Sequence, residues 1–396
     1  MSLVRLVVLR NGAAGAEKQA LALAARLRTK LLDEIVPQRL GVVCSPVECV
    51  DVTLGRSHVI PPVLQVFGAK LTRNPLFGYK EQGTCQVFSV QKKKGELNVV
   101  IGCGRSTVAL CAVVKQLEPK RTFNVQIQHP RVPLTWFDAI VAPRHDFSRG
   151  KSGANNLFLT SGTVHNITPE LLHQHGSEWS EELDEKLQKR RKRVVWLLGG
   201  PCRGFAFTEQ DTEKMVDEFI RALPGDDDVA VLVTFSRRTP QNVRRIIGRC
   251  LDVRFPAPGQ LLVFEGTERR NPYYALLSTA SCIVTTPDSI SMTTEAVASG
   301  KPVFTIGVKN CKGKFLRFHQ DLFETKATAP FTADAVAASL RGIAEDDVSS
   351  SATNLEEEIS AIVNSIVSAI HTVQKQILCS TTTSVVETTG AHDKHR

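Results

Sequence analysis

Residues 282–304 read CIVTTPDSISMTTEAVASGKPVF. Ile283-Val284-Thr285-Thr286 is a β-branched run of the kind that forms a buried strand. Pro287 and Asp288 break it, and Ser289 or Ser291 can cap a helix over Met292 to Ser299. Gly300 ends that helix, and Pro302-Val303-Phe304 opens the next strand. A strand, a polar turn and a helix N-terminus in succession aim free backbone amides and the positive end of the helix dipole at one point. That arrangement suits an anion.

The same grammar recurs on both sides of this stretch. Leu3–Leu9 is a strand running into Gly12 and Gly15, with a helix from about Ala16. Its glycines are not spaced as G-x-G-x-x-G, so no dinucleotide fingerprint is present. Leu97–Ile101 is a strand into Gly102-Cys103-Gly104-Arg105, with a helix over Val108–Leu117; Arg105 there could meet a phosphate or carboxylate. Further on, Val194–Leu198 runs into Gly199-Gly200-Pro201-Cys202-Arg203, and Val229–Phe235 runs into Ser236-Arg237-Arg238. Repeated strand, polar turn and helix indicate parallel, doubly wound sheets. The glycine-rich loop, the arginines Arg203, Arg237 and Arg238, and Ser289 with Ser291 all fall at C-terminal strand ends. Such a set suits a diphosphate, which takes bidentate donors and amides. Residues 40–95 carry a weaker pattern, punctuated as loops by Pro61-Pro62 and Arg73-Asn74-Pro75-Leu76-Phe77-Gly78, with Lys92–Gly95 an exposed turn.

Three successive strands in the first half end in turns carrying histidine: His129, His145 beside Asp146, and His165. In a parallel sheet these ends share one edge, and a His beside an Asp could act as a general base, with His129, His145 and Asp146 as the catalytic candidates. The plainer reading is that each caps its own loop. No two lie at metal-ligand spacing on a helix, so no metal is expected.

The length of 396 residues fits two domains. The expected division is a first lobe over 1–176, a charged linker over 177–193 and a second lobe over 194–350. An amphipathic helix over 354–378 and a disordered Ser/Thr-rich tail over 379–396 complete it. The net charge of +9 owes much to the run from Lys186 to Arg193, but acidic residues from Glu178 to Glu185 precede it and balance it. With no aromatic interleaving or recognition motif, this argues against a nucleic-acid partner. No apolar run approaches the roughly 18 residues that span a bilayer. The N-terminus reads as a strand rather than a leader. Ten cysteines without a C-x-x-C pair read as reduced thiols of an intracellular protein.

The spacing of Thr294-Glu295 to Gly300-x-Pro302 resembles the donor-site helix of GT-B glycosyltransferases. The resemblance implies two Rossmann-like lobes with a cleft between them, and Glu295 as acceptor for the ribose hydroxyls of a nucleotide sugar. Longer phrases resemble one family more closely: VQIQHPRVPLTWFDAIVAPRHD, TSGTVHNITPELL, LLGGPCRGF, LVTFSRRTP, NPYYALL and KFLRFH. They are similar to the mitochondrial fission "elongated mitochondria" family, over roughly residues 3–325. This resemblance implies a nucleotide-sugar-transferase ancestry. It also implies a peripheral role on the cytosolic face of the mitochondrial outer membrane, recruiting or regulating a dynamin-related GTPase. Two readings follow: a fission factor on a GT-B scaffold that retains nucleotide-sugar binding without a required cofactor, or an active glycosyltransferase using an NDP-sugar.

Overall fold

The structure, a computed structural model, describes residues 4–35, 48–53, 60–79, 96–147, 153–225, 228–266, 268–342 and 347–389. The expected Lys92–Gly95 turn lies outside the described residues. The chain divides into two compact units: Met1–Thr160 with Val164–Asn166 and Glu358–Arg396, and Ser161–Thr163 with Ile167–Glu357.

In the first unit, strands β1 (Val4–Arg10), β2 (Glu48–Thr53), β3 (Leu97–Cys103), β4 (Thr122–Ile127), β5 (Ala139–Pro143) and β6 (Leu157–Thr160) form one sheet in the order β2-β1-β3-β4-β5-β6. All five pairings are parallel. Helices α1 (Ala14–Ile35), α2 (Pro62–Thr72) and α3 (Val108–Leu117) accompany it. Strand β2 and helix α2 fall in the weakly patterned stretch, α2 between its two loop signals. Pro61-Pro62 does not break structure there; it starts α2, because proline costs nothing at a helix's first position. The helix ends at Arg73, in the left-handed conformation at φ 54°. Behind it, Tyr79 acts as the cap that α3 lacks. Its hydroxyl donates to the Ser106 carbonyl at 2.8 Å and accepts from the Leu110 amide at 3.1 Å.

In the second unit, strands β7 (Lys192–Leu198), β8 (Val229–Phe235), β9 (Leu261–Phe264), β10 (Cys282–Thr285), β11 (Val303–Thr305) and β12 (Ala329–Pro330) are ordered β12-β11-β10-β7-β8-β9, again all parallel. The helices are α4 (Pro169–Lys186), α5 (Glu209–Ala222), α6 (Gln241–Arg254), α7 (Tyr273–Thr279), α8 (Ile290–Ala298), α9 (Lys314–Glu324) and α10 (Ala333–Leu340). Every residue of β8 is buried, as expected for a strand covered on both faces. Trp196 stacks on Phe219 at 4.0 Å between ring centroids, and Phe219 in turn on Phe331 at 5.8 Å. The stretch 177–193, expected as a linker, forms the later part of α4 and the start of β7, within this unit. Thr168 caps α4 by accepting from the Leu171 amide at 3.2 Å, with Pro169 at the first helical position.

Helix α11 (Asp347–Thr389) closes the chain. Its expected apolar face is buried from Leu355 through Ile359, Ile362, Val363, Ile366, Val367 and Ile370. From Glu358 onward it belongs to the first unit, where Glu358 pairs with Arg144 at 2.6 Å. The helix continues through 379–389, where the Ser/Thr-rich composition points to disorder; 390–396 lie outside the described residues.

Candidate functional site at the switch point of the second sheet

Taken in chain order within its unit, the second sheet reads 6-5-4-1-2-3, the Rossmann order. The connections diverge between β7 and β10, and ligands of such sheets bind beyond the strand ends at that point. Two loops meet there. Gly199-Gly200 follows β7, and Thr286-Pro287-Asp288-Ser289 follows β10.

Asp288 ties them together. Its carboxylate is fully buried. It accepts from the Gly200 amide at 2.8 Å, the Thr286 hydroxyl at 2.7 Å and the Arg238 guanidinium at 3.0 Å. Thr286 Oγ1 in turn accepts from the Gly199 amide at 2.8 Å. Burial pushes the Asp288 pKa up, opposed by the Thr286 and Gly200 hydrogen bonds and the charge of Arg238. The two glycines are required by packing. A Cβ on Gly199 would collide with both Asp288 oxygens, and one on Gly200 with the Arg238 carbonyl. Thr239, in the loop after β8, fastens that loop to the one after β7, its hydroxyl donating to the carbonyls of Leu198 and Gly199.

Beneath the β10 loop sits His319, on α9 and wholly buried. Its Nε2 lies 3.1 Å from the Pro287 carbonyl and its Nδ1 3.5 Å from Thr305 Oγ1. Burial drives its pKa down to about 4, so the ring is neutral and donates from Nε2 to Pro287. The basic stretch 309–319 is half helix, since α9 begins at Lys314, and Phe318 and His319 on it are buried.

Ser289, not Ser291, caps α8, accepting from the Met292 amide at 3.4 Å. Ser291 is half-buried in the first turn. Glu295 is buried in the body of α8, 7% exposed. The Tyr273 phenol lies beside it; burial first, then the Glu295 charge, raises the phenol's pKa well above its ordinary value. Thr294 accepts from the Thr163 amide at 3.1 Å. Arg203 and Arg237 are exposed, and the Arg238 side chain is 51% exposed while anchored to Asp288. The parallel sheet thus brings Gly199, Gly200, Arg203, Ser236, Arg237, Arg238, Ser289 and Ser291 to one edge. The amides of Gly199 and Gly200 are both donated inward. Sequence reasoning passed over Thr286, Asp288, Thr239 and His319. The one available signal was an acidic residue directly after a switch-point strand, facing a Gly-Gly loop.

The first unit gathers the remaining candidates. His129 Nδ1 accepts from the Arg131 amide at 2.9 Å, and its ring stacks on Phe147 at 4.3 Å. Burial lowers its pKa against the pull of Asp146. His145 is buried, its Nε2 3.7 Å from Asp146 Oδ1. The buried His165 offers its carbonyl to Arg26 at 3.1 Å. At that sheet's own switch point, between β1 and β3, the Gly12 amide donates to Glu17 at 2.6 Å, and Asn11 Nδ2 bridges the Cys103 carbonyl and Ser106 Oγ at 3.1 and 2.9 Å. Gly15 and Arg105 are exposed. Among the described residues no cluster could hold a metal ion. No described helix is long and apolar enough to cross a membrane.

Residues 14–363 match the family model described as mitochondrial fission ELM1. The chain is 28% identical over 290 residues to the mitochondrial fission protein ELM1 of Arabidopsis thaliana, covering 68% of this chain and 65% of that protein. It is therefore matched over just under two thirds of that relative's length. An uncharacterized protein of Rickettsia prowazekii is 27% identical over 266 residues, or 59% of this chain and 72% of its own. Among solved structures, a Listeria monocytogenes protein described as a UDP-N-acetylglucosamine 2-epimerase superposes with a TM-score of 0.56 at 12% identity, covering 93% of this chain and 97% of that one. The α,α-trehalose 6-phosphate synthase of Burkholderia multivorans gives 0.51 at 11% identity, covering 96% and 100%. At such identities the likeness is one of fold, and the fold is GT-B-like.

Proposed function

The chain belongs to the mitochondrial fission ELM1 family, and from that premise we propose that it acts in mitochondrial fission as an adaptor with a GT-B-like scaffold. On this reading it recruits or regulates a dynamin-related GTPase on the cytosolic face of the mitochondrial outer membrane. The switch-point edge of its second unit holds the diphosphate of a nucleotide or nucleotide sugar without metal. The observation that carries the ligand reading is the exposed set Arg203, Arg237 and Arg238, gathered with the Ser289-capped start of α8 at the Rossmann switch point. Arginine forks match phosphate oxygens in pairs, and the helix end adds amides and a favourable dipole. Glu295 stands as the ribose acceptor of this reading.

A second reading, glycosyl transfer from an NDP-sugar, draws on the grouping of His129, His145 and Asp146, an acid-base set in the first unit. One experiment separates the two. Thermal unfolding is followed with UDP, GDP, ADP and their sugars, for the wild type and the Arg237→Ala and Glu295→Ala variants. Ligand at about a hundredfold above its Kd stabilises by roughly 2.7 kcal/mol. A shift with no sugar released, and lost in both variants, supports the adaptor with a retained site. A shift with sugar released supports transfer. No shift with any nucleotide removes the ligand from the proposal and leaves the scaffold role. The fission role is read separately, as mitochondrial length in cells carrying Glu295→Ala.

A further inference from the structure

Helix α2 turns an unusual face outward. Val63, Leu64, Phe67 and Leu71 are 47%, 57%, 67% and 77% exposed. Residues 63, 67 and 71 recur every fourth position, with 64 beside them, so they form one continuous apolar stripe. Scattered exposed apolar residues need no explanation, but four on one short helix do.

The opposite face fixes this orientation. Gln65, Val66, Gly68 and Ala69 are buried, and Val66 and Ala69 join the first unit's core with α3. The Phe77 ring lies so close to Gly68 that any side chain there would collide with it. Gln65 donates to the Gly78 carbonyl at 3.2 Å. A helix held this way cannot roll its apolar stripe inward without breaking its packing. Large side chains project from the outward face, a form suited to an extended apolar surface rather than to a small molecule.

The charges within this segment have one sign. Lys70 and Arg73 are exposed at the C-terminal end of the stripe, and residues 60–79 contain no Asp or Glu. An apolar helical stripe bordered by cations is the arrangement that lies in the headgroup region of an anionic bilayer, with its apolar side chains among the acyl chains. We propose that α2 is a lipid-docking helix, through which Val63, Leu64, Phe67 and Leu71 enter an anionic membrane surface while Lys70 and Arg73 engage lipid phosphates. This specifies how a peripheral membrane role is met, and it does not depend on the nucleotide reading.

The test is flotation of the full chain with vesicles of phosphatidylcholine mixed with phosphatidylserine, against vesicles of phosphatidylcholine alone. The wild type is expected to float only with the anionic vesicles. The double variant Leu64→Ser/Phe67→Ser is expected to lose binding about tenfold or more. Lys70→Glu/Arg73→Glu is expected to abolish the preference for anionic lipid. All these positions are exposed, so the variants should melt as the wild type does, and that is checked first. A Phe67→Trp variant reports the site directly, its emission moving to shorter wavelength on anionic vesicles. Absence of flotation, equal flotation with both compositions, or a Phe67→Trp emission already shifted before lipid is added would each overturn the proposal. So would a mass that doubles with concentration in the wild type but not in the double variant, which would make a second copy of the chain the occupant.

Discussion

Replacing His319 by glutamine should flatten the acid limb of the second unit's stability. The imidazole is wholly buried and held at a pKa of about 4. In the unfolded chain it titrates near about 6.5. Because the folded value is the lower one, the unfolded chain binds more protons between those pH values. The stability owed to keeping the ring neutral is therefore complete above about pH 6.5 and is lost as the pH falls towards about 4. The gap of about two to three units corresponds to about 3 kcal/mol in full, and to about 2 kcal/mol by about pH 5. At roughly 2–4 °C per kcal/mol, wild type should lose some 4–8 °C more than His319→Gln between neutral pH and about pH 5. Glutamine can still donate to the Pro287 carbonyl, so the variant keeps the loop's anchor.

Tryptophan fluorescence is a suitable readout, because two of the three tryptophans, Trp179 and Trp196, lie in the second unit, and Trp136 in the first serves both proteins alike. Asp288 titrates in the opposite sense. Its folded pKa is raised, so its share of stability falls as pH rises from about 3.9 through that raised value. The difference between wild type and His319→Gln cancels that contribution, since both carry Asp288. Parallel acid limbs in the two proteins would refute the assignment of a buried neutral ring at this position.

Three further outcomes follow from the same geometry. Asp288→Ala should cost about 2–4 kcal/mol in urea unfolding, because it leaves the Gly200 amide and Thr286 hydroxyl without their acceptor; the half-exposed Arg238 adds little, and Asp288→Asn should recover much of the loss. Gly200→Ala should cost about 1–3 kcal/mol by forcing the Arg238 loop away, measured the same way. On α11, Ile366→Ala should cost about 2–5 kcal/mol, while Arg144→Ala, which removes a largely exposed partner of Glu358, should cost less than about 1 kcal/mol.

The parts of the fold that were legible are those where local pattern and tertiary role agree. The strand of 282–285, the helix of Val108–Leu117 and the apolar face of α11 are examples. Each carries its own period, and burial follows the period. Helix α2 was missed because its apolar residues face both inward and outward, which erases the one-sided pattern, and because Pro61-Pro62 looks the same whether it stops a segment or starts one. The later part of α4 reads as linker from sequence because its charges balance; only the burial of Trp179 and Leu183 reveals its allegiance. Arginines and serines at the sheet edge were legible from strand order alone. Asp288 was not. A carboxylate following a strand is exposed unless another loop closes over it, and that closure depends on two glycines more than eighty residues earlier in the chain.

That closure bears on what the edge can do. In a glycine-loop phosphate site, the loop's amides point at the ligand. Here the amides of Gly199 and Gly200 point at Thr286 and Asp288, and a buried carboxylate occupies the place beneath them. A phosphate drawn into that loop would meet a like charge at close range in a poorly hydrated setting, where repulsion is weakly screened. On the proposed reading, an incoming diphosphate would find its favourable partners elsewhere on the edge, at the start of α8 and on the exposed arginines, and Arg238 would be shared between ligand and Asp288. Sharing an arginine in this way would lower affinity and link ligand binding to the packing of the β7 and β10 loops. Such a link is of more use to an adaptor whose surface responds to a bound nucleotide than to a transferase that must grip its donor through the reaction.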